Sequence, residues 1–249
     1  MAAVPEPASQ LQRPVVVISQ PMLFPWVGLF EQIRLADVYV HYTDVQFSKG
    51  SFVNRVQIKT EKGPHWLTVP LRGLSLGQTI AEVLVDDRKD WRRSHLDFLA
   101  QAFAGAPFRR EALDLAERAY ARNSERLMDV VVAGVEAVMT FFGLDLGRNV
   151  ARVEELGIGG TGSDRVLAIV QALGGRTYVT GHGARNYLQH ETFDRAGIGV
   201  EYMDYRKTPY PQLHGEFTPY VSILDLIANL GRDGARFIHS GTLDWRRFK

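Results

Sequence analysis

The residues best suited to chemistry crowd into the first sixty positions of the 249-residue chain. Gln20, Pro21, Pro25, Trp26 and Gly28 open the series, and Asp37, Asp44, Gln46, Asn54, Arg55 and Lys59 continue it. Amide and cationic donors of this kind suit planar, oxygen-rich groups such as phosphate or sugar hydroxyls. Singly, each has a plainer reading: Gly28 eases helix packing, Trp26 fills core, Asp37 caps a turn, and Arg55 and Lys59 are solvated strand residues. Collectively the plain reading fares worse, because Gln46, Asn54, Arg55 and Lys59 bring donors back toward the loop that begins at Gln20.

Three later stretches have similar character. Gly159 to Arg165, GGTGSDR, precedes a helix whose N-terminal N–H groups suit phosphate, with Arg165 adding charge. Ser163 as an ordinary N-cap is the competing reading there. Gly181 and Tyr187 belong to a second strand-to-loop-to-helix junction, where glycines permit close backbone approach. Asp204 to Tyr220 is dense in Tyr, Pro, Gln and His, and Tyr210 and Gln212 suit stacking on a sugar or base and bonding to its edge. Loops rich in proline also pack for purely structural reasons. The histidines are scattered without zinc spacing, so no metal site is expected. G-x-S-x-G, a P-loop and a G-x-G-x-x-G in a strand-to-helix context are not found.

Positioning these residues requires alternating elements. Val15 to Ile18 predicts a strand, the prolines that follow a loop, and Val27 to Ala36 a helix; Val38 to Tyr42, Phe52 to Ile58, Trp66 to Leu71 and Thr79 to Val85 read as strands. Trp91 to Phe103, Arg109 to Ala121 and Ser124 to Phe142 carry helical periodicity, with Ser124 as N-cap of the third. Val150 to Val153, Asp164 to Leu173, Thr177 to Thr180, a short helical segment ending at Leu188, Gly197 to Met203 and Val221 to Leu230 then alternate strand and helix. The expected fold is α/β: a mostly parallel sheet with helices on both faces, a strand-rich N-terminal insertion and a helical block at about 88–143. Residues 1–14 read as a disordered leader and 15–249 as one domain.

Composition narrows the function classes. A net charge of +1 gives no general pull toward nucleic acid, and no basic stripe interleaved with aromatics runs along any element. There is no cysteine, which removes disulfides, thiolate metal sites and a cysteine nucleophile. The longest apolar stretch, Val130 to Leu144, is broken by Gly134, Glu136 and Gly143, so no membrane span is expected and the cytoplasm is the default location.

Gln20-Pro21, Phe24-Pro25-Trp26, Gly28, Ala36-Asp37, Tyr42 to Gln46, Asn54-Arg55 and Trp66 to Pro70 together resemble the WbqC-like protein family of bacteria. His95, Tyr178 to Gly181, Tyr187-Leu188, Tyr210-Pro211-Gln212 and Asp225-Leu226 extend the resemblance over nearly the whole chain after the leader. It implies a place in surface-polysaccharide or related glycan biosynthesis, with suspected transfer of an acyl or aminoacyl group to a nucleotide-linked amino sugar. The chain departs from the usual pattern at Met22-Leu23-Phe24, where a tyrosine-leucine pair is more common, and at Lys207-Thr208. On this reading Asp37 or Asp44 is the general base, Arg55 and Lys59 hold phosphate or carboxylate, and Trp26 walls the pocket. The cofactor is open, with ATP or an acyl donor as candidates, and a noncatalytic sugar-nucleotide binder of the same pathway is the alternative. The order of elements is also similar to the HxGH nucleotidyltransferase and adenylate-forming fold, although Pro25 and Phe30 do not supply its histidines.

Overall fold

The computed structural model describes residues 11–122 and 124–248. Its centre is β1 (Val15–Ser19), whose run of β-branched residues is buried on both faces, as an interior parallel strand requires. After Pro21 and Pro25 the chain enters α1 (Val27–Leu35), then β2 (Val38–His41). Next come a hairpin, β3 (Arg55–Thr60) and β4 (Gly63–Thr68), and a two-strand pair, β5 (Leu71–Arg72) and β6 (Leu84–Val85). The helical block is α2 (Trp91–Ala102), α3 (Arg109–Tyr120) and α4 (Leu127–Phe142). The sheet resumes with β7 (Asn149–Arg152), α5 (Gly162–Ala172), β8 (Thr177–Thr180), α6 (His190–Arg195), β9 (Gly199–Asp204), α7 (Ile223–Leu230) and β10 (Gly241–Asp244).

The main sheet has the order β10-β9-β8-β1-β2-β7, parallel except for β10. Val15 and Val17 share one core with α1, α4 and α7, whereas Val16 and Ile18 share another with α5 and α6, so helices cover both faces. The central strand pairs with β2 on one side and β8 on the other. From β1 the chain moves outward through α1 on the first face, and from β8 it moves the opposite way through α6 on the second. The two loops therefore part at the carboxyl ends of β1 and β8, which is where open α/β sheets leave a crevice.

Several local expectations change. Residues 79–85 form a 3-10 turn, Ile80–Glu82, before the short β6, because Glu82 accepts from the Thr79 backbone N–H at 2.8 Å in a capping box. The third helix of the block starts at Leu127, and Ser124 instead donates to Asp129 in its first turn at 2.6 Å. Helix α6 and the antiparallel edge strand β10 were not expected. The predicted leader falls partly outside the described residues; at its end, Gln12 and Pro14 carbonyls accept hydrogen bonds from the start of β8.

Candidate functional site

A cavity of about 620 Å³ opens at this crevice. Ser19 and Gln20 enter it from the end of β1, Tyr42 from the residue after β2, Tyr178 and Thr180 from β8, and Gln32 from α1. Ser51, Phe52 and Val53 form one flank, and Gly162, Gly183 and Tyr187 another. Apolar wall comes from Ile18, Met22, Val45, Val166 and Ala184. Among the described residues lining this space there is no Lys, Arg, Asp, Glu or His.

Three phenols dominate the polar surface. Tyr178 is fully buried and donates to the Thr180 hydroxyl at 3.2 Å, and its hydroxyl also pairs with that of Tyr187. Burial pushes the phenols of Tyr178, Tyr42 and Tyr187 above the ordinary value, with Tyr187 adding to the shift of Tyr178, and Tyr42 to that of Tyr187. They remain protonated at neutral pH and act as hydrogen-bonding groups rather than bases. Tyr187 retains 46% of its surface, so its ring edges the mouth while its hydroxyl sits inside.

The N-terminus of α5 meets the cavity at Gly162, and its N-cap Thr161 makes no side-chain capping bond, leaving N–H groups for an anionic portion of a ligand. Gly157, Gly159 and Gly162 have the G-x-G-x-x-G spacing, but the 3-10 turn Val153–Leu156 separates them from β7, so the direct strand-to-helix turn is missing. Ser163 caps nothing here: its buried hydroxyl accepts from the Gln189 backbone N–H at 2.9 Å. Arg165 leaves the cavity rim to grip Asp44 with both terminal nitrogens, one at 2.9 Å, while its Nε reaches the Ile158 carbonyl at 3.0 Å. Its guanidinium also lies 5.3 Å from the Tyr42 ring. Asp44 is thus close to the cavity but already paired.

Of the residues singled out from sequence, Gln20, Gly181 and Tyr187 line the cavity, while Asp44 and Arg165 pair beside Tyr42. Gln46 is exposed and makes a bridge to Thr79 beside the lining residue Val45. Gly181 leaves room for its neighbours, since an added Cβ would stand 3.1 Å from the Gln32 amide and 3.3 Å from the Tyr205 hydroxyl. Trp26, Pro25 and Gly28 lie outside the lining. The Trp26 ring packs on Tyr205 at 4.9 Å and Tyr220 at 5.2 Å, and Tyr205 in turn bonds Gln32. Gly28 is covered by that same indole, which leaves it no open side for a phosphate. The Pro25 carbonyl receives the Ile223 N–H at 2.9 Å.

The remaining candidates correct the expectation of one converging constellation. Asp37 sits at the amino end of β2, opposite the cavity, where it accepts from the Val15 N–H at 2.7 Å and pairs with Arg13. Asn54 is buried and donates to the Val69 carbonyl at 3.0 Å. Arg55 lies over the Trp66 ring, 4.1 Å from its centroid. Lys59, buried in β3, donates to Gln212 at 3.1 Å, to the Gly215 carbonyl at 3.0 Å and to the Glu216 carbonyl. Tyr210 donates to buried Asp225 at 3.0 Å. Lys59, Gln212 and Tyr210 thus organise the 205–220 loop rather than the cavity.

Gln32 and Ser51 carry no mark in the sequence, and Tyr42, Tyr178 and Thr180 enter there only within motifs and not as candidate site residues. A buried strand tyrosine such as Tyr178 has no periodic mark that separates it from core, although Tyr42 follows directly on the end of β2 that faces the crevice. Three histidines are tied to backbone carbonyls: His95 to Thr68 at 3.1 Å, His182 to Met203 at 2.7 Å and His214 to Ala102 at 2.8 Å. Burial pushes the His95 imidazole down to about 4.

A model of the WbqC-like protein family matches residues 20–237, which takes in every residue lining the cavity except Ile18 and Ser19. The chain is also 31% identical over 226 residues to the uncharacterized protein Rv1507c of Mycobacterium tuberculosis, covering 90% of this chain and 96% of that relative. No solved structure matches the chain significantly.

Proposed function

The chain belongs to the WbqC-like protein family, and from that premise we propose that it is a transferase of glycan biosynthesis that holds an amino-sugar precursor in the crevice cavity. The observation that carries the sugar reading is the lining itself: hydroxyls and amides on a partly aromatic, uncharged wall. Such a wall matches the alternating C–H and hydroxyl faces of a pyranose ring. The α5 N-terminus at Gly162 supports the nucleotide-linked form, since a diphosphate adjoining the sugar would meet unpaired N–H groups there. Acyl or aminoacyl transfer to the sugar amine follows from the family resemblance. Asp44 is the nearby carboxylate for taking the amine proton, and Arg165 would have to yield it on substrate binding.

A second reading, a noncatalytic sugar-nucleotide binder of the same pathway, is favoured by one observation: Asp44 is held by both terminal nitrogens of Arg165. Calorimetry with UDP-linked and dTDP-linked amino sugars, followed by mass spectrometry of mixtures containing ATP and acyl or aminoacyl donors, separates the two. Saturable binding weakened about tenfold by Tyr178→Phe or Gln20→Ala is expected. Product formed by the wild type and lost in Asp44→Asn supports transfer, whereas binding without product in either protein supports the binder. Binding of ATP alone, unaffected by both cavity substitutions, would sink the sugar reading.

A further inference from the structure

Consecutive residues at the end of β2 face opposite sides. Tyr42 lines the crevice cavity, while His41 turns to the other face, its ring edge-on to Tyr39 at 4.9 Å. His41 is fully buried, yet neither ring nitrogen has a hydrogen-bond partner, nor does the buried Tyr39 hydroxyl. Orphaned interior groups of this kind are uncommon and call for a reason. A carboxylate oxygen of Glu136 lies 3.6 Å from His41 Nε2.

Glu136 belongs to the wall of a separate cavity of about 370 Å³, lined also by Arg122, Ser124, Asp129, Ala133 and Arg152. Asp129, Ala133 and Glu136 form one stripe of α4 at helical spacing, and Arg152 is the β7 residue paired with His41 across the ladder. Asp129 is already engaged, accepting from Ser124 at 2.6 Å and lying 3.8 Å from Arg152. Contact with His41, and after it the charges of Arg152 and Arg122, hold the Glu136 carboxyl below its usual range. A small hollow thus presents guanidinium groups and a carboxylate together. A purely anionic ligand would meet Glu136 and Asp129, and a purely cationic one would meet two arginines, so either is disfavoured by like charge.

We propose that this second cavity binds a small zwitterion carrying both a carboxylate and an ammonium group, the chemical class of the free α-amino acids. Arg122 and Arg152 take the carboxylate, as guanidinium geometry favours. Glu136, anchored over His41, takes the ammonium. The site is independent of the sugar reading and stands or falls without it.

The test is calorimetry of the full chain against each common α-amino acid, beside its N-acetyl and α-amide derivatives. Saturable binding of at least one amino acid is expected, weakened about tenfold or more when either end is capped. Glu136→Gln and Arg152→Gln should each cause a loss of similar size. Should Glu136→Gln fail to fold by circular dichroism, Arg122→Gln, at an exposed position, takes its place. Absence of binding by every amino acid at millimolar concentration, equal binding of the capped forms, or affinity unchanged in the folded variants would overturn the proposal.

Discussion

At the scale of single residues, Gly28 and Asp225 show how much of this protein's polar and glycine content serves packing. A Cβ on Gly28 would lie 2.2 Å from the Trp26 ring, and that ring is wedged against Tyr205 and Tyr220. Gly28→Ala gains up to about 1 kcal/mol of helix propensity but must displace the indole, at about 1–3 kcal/mol. The expected outcome is a lower denaturation midpoint with altered tryptophan fluorescence, and an unchanged midpoint would mean that the ring moves freely. Asp225 is 1% exposed, and burial pushes its carboxyl up to about 6 from an ordinary 3.8. Between those values the folded protein keeps a proton that the unfolded chain releases, so this group's contribution to stability falls as pH rises from about 4 to about 6. Above that window the cost is about 3 kcal/mol. Asp225→Asn, which retains an acceptor for Tyr210, should therefore be more stable than wild type at pH 7, the gap closing toward pH 4. Urea unfolding at both pH values checks this, and a gap that does not vary with pH would refute it.

At the scale of elements, the β3–β4 hairpin does its work through one buried cation. Lys59 ties β3 to Gln212 and to the Gly215 and Glu216 carbonyls, while Gln212 bonds the Thr218 backbone in both directions, at 2.9 and 3.1 Å. These bonds fix a loop with no regular structure from Tyr205 to Tyr220. From that loop Tyr205 reaches Gln32 behind the cavity and Tyr220 packs on Trp26. Lys59→Met preserves length and apolar stem but removes every donor. It should cost about 2 kcal/mol and expose residues 205–220 to limited proteolysis while the rest of the chain resists. Uniform proteolytic resistance in the variant would show that the loop is held by its aromatic contacts alone.

At the scale of the whole molecule, the sheet was legible and the site only partly so. The β-branched run at Val15 to Ile18 and the prolines after it mark a central strand and a loop whatever the tertiary context, as does the helical periodicity from Trp91 onward. Strand β10 carries no such mark: Gly241–Asp244 is partly buried along its length and owes its conformation to pairing with β9. The site divides for a similar reason. Gln20, Gly181 and Tyr187 sit in loops beside strand ends, where polar residues and glycine are informative, whereas Arg55, Lys59 and Asn54 have the same chemistry in sequence but are taken up by Trp66, by the distant 212–216 segment and by the Val69 carbonyl. Only the fold distinguishes a donor offered to a ligand from one consumed by a carbonyl.

The placement of β1 between β2 and β8 has a consequence for how the chain is made. Its partner on one side follows within about 25 residues, but Thr177 to Val179 follow only about 160 residues later. At ribosomal rates that interval lasts roughly 8–30 s. During it one hydrogen-bonding edge of the most apolar strand in the sheet has no native neighbour, in the period when such edges are prone to wrong pairing. Slower translation between residues 60 and 176 lengthens the exposure of this nascent edge.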